Sequence, residues 1–257
     1  QVHVDAFAYG NWTKAQALKL TARVKEIIFS KAEPHTETVR PILSLQGHHN
    51  LAVEKPLQHY DNAIVMYYQA NSKAPKITAL FILLNHVIGP EFFNELRTQK
   101  QLGYLVGTGY VPLNRFPGLA LYIQSPNNES PALYHEISLF LRNFVQDLIE
   151  ISPQQWQKIQ QGLITQVIEK DSNLRVRSQR FWFSIGNKDP LFSERDLVAE
   201  QIMSLTPNDL YKFAKMTLLQ YTDAKLIVMT SSDSPIEAPI KVIKVEQLAD
   251  KLEPLNS

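Results

Sequence analysis

Arg97 and Tyr104, in the stretch FFNELRTQKQLGYLV (residues 92–106), are the side chains whose types and spacing most invite chemistry. Both donate hydrogen bonds, neither needs a metal, and neither changes protonation near neutral pH. Donors of this kind at a helix-to-strand corner suit a developing oxyanion or a peptide carbonyl. The spacing of Phe92, Phe93 and Leu96 predicts an amphipathic helix, with Arg97 at the border of its apolar stripe and Gly103 at the C′ position. From Tyr104 the period changes to two. Alternation then puts Tyr104, Val106, Thr108 and Tyr110 on one strand face, a surface able to run beside an extended peptide. The same residues also fit a plain surface: an Arg set favourably against a helix dipole, then a half-buried strand Tyr.

Other chemistry is thinly supported. The histidines are His3, His35, His48, His49, His59, His86 and His135, and neither H-E-x-x-H nor H-x-x-E-H occurs. His48 and His49 are adjacent and would point to opposite sides of a strand. His135 lies opposite the Leu133/Ile137 stripe, so solvent-facing histidines are expected and no metal site within this chain. Without Cys there is no thiolate or disulfide chemistry, and no G-x-S-x-G, P-loop or G-x-G-x-x-G is present. Gly107 and Gly109 sit inside a strand, where they permit close backbone approach rather than phosphate binding. Arg175, Arg177, Arg180 and Trp182 share no tight face and read as a solvated helix surface. Lys plus Arg is 26 against 25 for Asp plus Glu. That balance gives no field to hold nucleic acid or anionic lipid, and ALFILL (79–84) is too short to span a bilayer.

The elements that must position Arg97 and Tyr104 follow from pattern. VHVDAFAY has strand character, and Thr13 with Gln16 makes a capping box for a helix whose stripe is Ala17, Leu20, Val24, Ile27 and Ile28. SKAEPHTETVRP (30–41) is the best linker candidate. Strands are predicted at 42–46 and 49–54, and at 62–70 a run apolar on both faces predicts a central strand. KITALFILLNHVI predicts a buried helix broken at Gly89–Pro90, with Pro90 opening the next helix. Two strands, 104–111 and 119–124, flank a hairpin-sized loop. Helices follow around Leu133–Leu148, from Ser152–Pro153, around 174–187 and from Thr206–Pro207. AKLIVMT is a last strand before a Pro-interrupted surface tail. This order predicts an α+β domain of two layers, its mostly antiparallel sheet covered on one face by helices. The opening at Gln1, with no Met and straight into a strand, reads as a fragment of a longer protein.

With those elements in place, FFNELRTQKQLGYLV resembles the signature of the C-terminal half of the pitrilysin and insulin-degrading-enzyme family, the inverted-motif zinc metallopeptidases. AYGNWTKAQALKL resembles the strand, turn and helix that close that family's third domain. RFWFSI and LTPNDLYKFAKMTL resemble later segments, in the right order. The resemblance implies a metallohydrolase-like fold, with residues 1–40 ending a third domain plus linker and 41–257 forming a fourth. It implies a zinc-dependent endopeptidase whose zinc, ligands and general base belong to an N-terminal half, the partner of this chain around a peptide or small-protein substrate. No metal is implied here, and no nucleic acid or membrane. Arg97 would be substrate-binding, and Tyr104 both substrate-binding and catalytic through the oxyanion. Lys100 departs from the pattern, since an acidic residue is usual before QLGY. The chain alone would be inactive, and family analogy implies the periplasm. The alternative is a catalytically silent peptide-binding or structural subunit of the same fold.

Overall fold

The computed structural model describes residues 1–37, 42–48, 51–56, 60–189, 191–220, 224–230, 241–248 and 252–255. The chain divides into two units: residues 1–41 with 169–193, and residues 42–168 with 194–257.

The larger unit is built on six strands: β1 (Leu51–Lys55), β2 (Asn62–Gln69), β3 (Leu105–Tyr110), β4 (Gly118–Ser125), β5 (Lys225–Thr230) and β6 (Lys241–Ile243). Their order across the sheet is β3-β4-β2-β5-β1-β6. β2 pairs antiparallel with β4 and β5, and β3 with β4, whereas β1 runs parallel to both β5 and β6. Met66 stands between Leu121 and Ile227 in register. Alternation therefore brings Ile64, Met66, Tyr68, Leu119, Leu121, Ile123, Ile227 and Met229 onto one buried face. The two-sided apolarity of β2 is explained by its central place.

Helix α2 (Pro75–Phe92) packs on that face, with Ala79, Leu83, Leu84, Ile88 and Phe92 fully covered. Each of the four larger side chains contributes roughly 1.5–3 kcal/mol by leaving water. The helix does not break at Gly89–Pro90. Pro90 lies inside it, and the helix continues as a π-helical segment, Phe93–Gln99. Ile88 and Phe92, both buried, hold it on either side of the proline. Pro75–Gln99 has the length and composition to cross a bilayer, but here it is the core helix of the sheet. α3 (Ser130–Asp147), α4 (Pro153–Val167), α6 (Glu194–Ser204) and α7 (Pro207–Ala214) complete the layer; α4 and α7 start from capping boxes at Ser152 and Thr206. On the other face a small cluster of Leu45, Leu51, Val53, Ile243 and Leu252 lies at the β1–β6 end. The tail thus contributes a strand and core residues, not only surface. Leu43 makes a single bridge to Pro254 where a strand over 42–46 is predicted. His49 and His59 fall outside the described residues.

In the smaller unit, Thr13 and Gln16 form the expected capping box for α1 (Lys14–Phe29). None of its residues is buried, and Leu20, Val24 and Ile27 of its stripe stay exposed. VHVDAFAY makes only a bridge, Val2 to Pro34, because a strand needs a ladder partner and none is described there. α5 (Leu174–Gly186) is capped by Asn173. Its Arg180 forms a two-pronged pair with Asp171, so this arginine is held internally rather than presented to an anion.

Candidate functional site

The corner between the α2 helix and β3 is fixed from several sides. Leu96, fully buried, anchors the π-helical turn that carries Arg97. π-helical turns are rare and cluster at functional positions. Phe92 and Leu96, four apart, are both buried, whereas Phe93 is 49% exposed and off the stripe. Lys100 N–H donates to the Glu95 carbonyl and Leu102 N–H to the Leu96 carbonyl. The left-handed residue that turns the chain is Gln101, with φ 52°, not Gly103. Gly103 instead permits a close approach, passing hard against the Gln124 backbone of β4. Tyr104 N–H then donates to the Gln124 carbonyl at 3.1 Å, and Asn128 Nδ2 to the Leu102 carbonyl at 2.9 Å.

Tyr104 lies just before β3 and is 53% exposed. It does not share the surroundings of Val106, Thr108 and Tyr110. Val106 is buried, Thr108 donates to Asn85 of α2 at 2.9 Å, and burial pushes the Tyr110 phenol up to about 12. Those three face the helix layer, so that face is not open to a peptide. The Tyr104 phenol instead donates to Asp61 Oδ2 at 2.5 Å, and Gln124 Nε2 donates to the same oxygen at 3.1 Å. Gln124 stands opposite Ala63 and Leu105 in register, on the sheet face away from Ile123 and the helices. The hydrogen bond to the carboxylate raises the Tyr104 pKa, with a little burial and the Asp61 charge acting the same way.

Arg97 is half-buried and makes no hydrogen bond or ion pair among the described residues. Lys100 bridges Glu95 and Glu136 at 2.9 Å each. Burial works against its charge, but the bonds to Glu136 and Glu95 outweigh it and its pKa rises. Asp61 and Gln124 escaped the sequence reading. Asp61 is 43 positions before Tyr104, and no local pattern links them.

One group of possible metal ligands occurs among the described residues, His3, Asp5 and Glu37, all exposed. Lys188 pairs with Glu37 and lies 3.9 Å from Asp5, so an ammonium already serves those carboxylates. The set does not fit a zinc centre, which wants three or four convergent, desolvated ligands.

A family model described as PQQ synthase PqqF-like, C-terminal lobe domain 4, matches residues 83–182, a span that holds the whole corner. Insulin-degrading enzyme of Bos taurus is 27% identical over 231 residues, covering 85% of this chain and 22% of that protein. Over most of its length the chain is thus similar to insulin-degrading enzyme, and over residues 83–182 to a C-terminal lobe domain. A Schizosaccharomyces pombe relative whose name describes a zinc protease is 26% identical over 218 residues, covering 83% of the chain and 22% of that protein. The crystal structure of pitrilysin superposes with a TM-score of 0.81 at 22% identity, over 95% of this chain and 27% of that one, a likeness of fold. These two relatives are thus far longer, and this chain spans about a fifth of their length.

Proposed function

We propose that this chain is a non-catalytic C-terminal part of an insulinase-type zinc metalloendopeptidase that degrades peptides and small proteins. Residues 1–40 close a preceding domain and 41–257 form the fourth. Its partner is the N-terminal half of the same protease, to which we assign the zinc, since the described residues here offer no fitting set. The exposed apolar stripe of α1 suits such a partner within one protein. The periplasm is the compartment by family analogy.

One observation carries the reading: an exposed phenol, on a corner fixed by backbone bonds, lies seven positions from a guanidinium with no partner of its own among the described residues. In this arrangement Tyr104 keeps its proton, and a substrate oxyanion can replace Asp61 as its acceptor. Arg97 binds the peptide backbone. Preorganised donors of this kind cost nothing to reorient at the moment of reaction. In the intact protease, Tyr104→Phe should lower kcat roughly tenfold to a thousandfold with a smaller change in KM, while Arg97→Ala should mainly raise KM. Unchanged kinetics in both variants would remove these roles.

The second reading, a catalytically silent peptide-binding or structural subunit, is favoured by the phenol already being held by Asp61. Under it, Tyr104→Phe alters stability but no turnover.

A further inference from the structure

A cleft of about 620 Å³ opens among α2, α3 and α4 of the larger unit, and neither Arg97 nor Tyr104 lines it. Its size is that of a site for a small ligand or a short peptide, larger than a lone ion requires. The floor is apolar: Phe140 and Phe144, their rings stacked 5.8 Å apart, with Leu148 and Ile159 beside them. The rim carries Glu91, Glu95 and Asp147. Lys100 must serve both Glu95 and Glu136, so that trio keeps an uncompensated negative charge. Glu91 and Asp147 make no ion pair among the described residues, and Lys158 is the one cation lining the cleft among them. The mouth is therefore net acidic over an apolar bed. His86 lines it half-buried, and burial lowers its pKa, so it adds no positive charge at neutral pH.

We propose that this cleft is a second peptide-binding site, taking a short segment in which an apolar side chain is flanked by arginine. The apolar side chain seats on the Phe140–Phe144 floor, and the guanidinium meets the rim carboxylates, where two parallel N–H bonds to one carboxylate fix its orientation. An anionic segment is repelled, and a bare cation leaves the floor wet. The site is independent of the proposed role of Arg97 and Tyr104 and stands whether or not that role holds.

The test uses the full chain and two fluorescein-labelled tetrapeptides, Leu-Arg-Phe-Arg amide and Leu-Glu-Phe-Glu amide. Saturable anisotropy is expected for the arginine peptide only, with binding weakened by raised salt. The double variant Glu91→Lys/Asp147→Lys, at two exposed positions, should keep its circular dichroism and lose about tenfold or more in affinity. Amide shifts on titration should concentrate at 86–95 and 140–159. Equal binding of both peptides, no saturable binding, or unchanged affinity in the folded double variant each overturns the proposal.

Discussion

Gly103 lies so close to Gln124 that a Cβ on it would collide with the Gln124 carbonyl oxygen. The obstacle is strand backbone, which cannot swing aside as a flexible side chain can. Gly103→Ala is expected to lose about 1–3 kcal/mol, as overpacking does, seen as a lower urea midpoint with an unchanged slope. Gly162 is the contrast: nothing lies within 4 Å of its would-be Cβ, inside α4. Gly162→Ala should gain up to about 1 kcal/mol in the same assay.

Tyr104 should titrate late. Its hydrogen bond to Asp61 raises the folded pKa above the ordinary phenol value, so the bond's contribution is complete below that ordinary value and is lost as pH rises through the folded one. The difference in phenolate absorbance between the chain and its Tyr104→Phe variant should rise at higher pH than free tyrosine. In Asp61→Asn it should move back down. A Tyr104 that titrates alike with and without Asp61 would show that the bond does not persist in solution.

Lys225 is a buried lysine, 7% exposed, paired in register with Tyr68 and 5.6 Å from the ring centre of Tyr134. Burial lowers its pKa from 10.5 to about 8. Between those two values the unfolded chain holds the proton and the fold does not, so stability should rise with pH through that window. Below it the fold carries a charging penalty of roughly 3 kcal/mol. Lys225→Met should therefore gain roughly 2–3 kcal/mol at pH 7 and flatten the rise between pH 8 and 10. Guanidinium unfolding at pH 7 and pH 9.5 measures both; an equal rise in the Met variant would assign it to another group.

Thr230 ties three segments together. Its Oγ1 accepts the Ala63 N–H at 3.1 Å, reaches Asn62 Oδ1 at 3.2 Å and bonds Ser130 Oγ at 2.7 Å. Thr230→Val keeps the shape but strands the Ala63 N–H, at a cost of about 1–3 kcal/mol. Thr230→Ser, which restores the hydroxyl, should recover most of that in thermal unfolding.

What could be read in advance was whatever a few neighbouring residues decide. Thr13, Ser152 and Thr206 announce their capped helices because cap and partner lie three positions apart. Asn62–Gln69 announces a central strand because both its faces are apolar. Pro90 misled because local sterics disfavour a helix there, while the burial of Ile88 and Phe92 on either side overrides them. Alternation showed that Val106, Thr108 and Tyr110 share a face, but not that α2 covers it. Arg97 and Tyr104 were visible as residue types in a motif. The acceptor for the phenol was not, because Asp61 and Gln124 arrive through strand pairing.

The strand order also sets a timetable. β2 acquires one neighbour early, from β4, but its other edge waits for β5, with Ile64 meeting Met229. Residues up to β5 must therefore have left the ribosome before that seam closes, and closing such distant pairs is slow. In the interval an uncharged edge is open to any passing strand. Synthesis of this domain should depend on chaperone cover more than its modest size suggests.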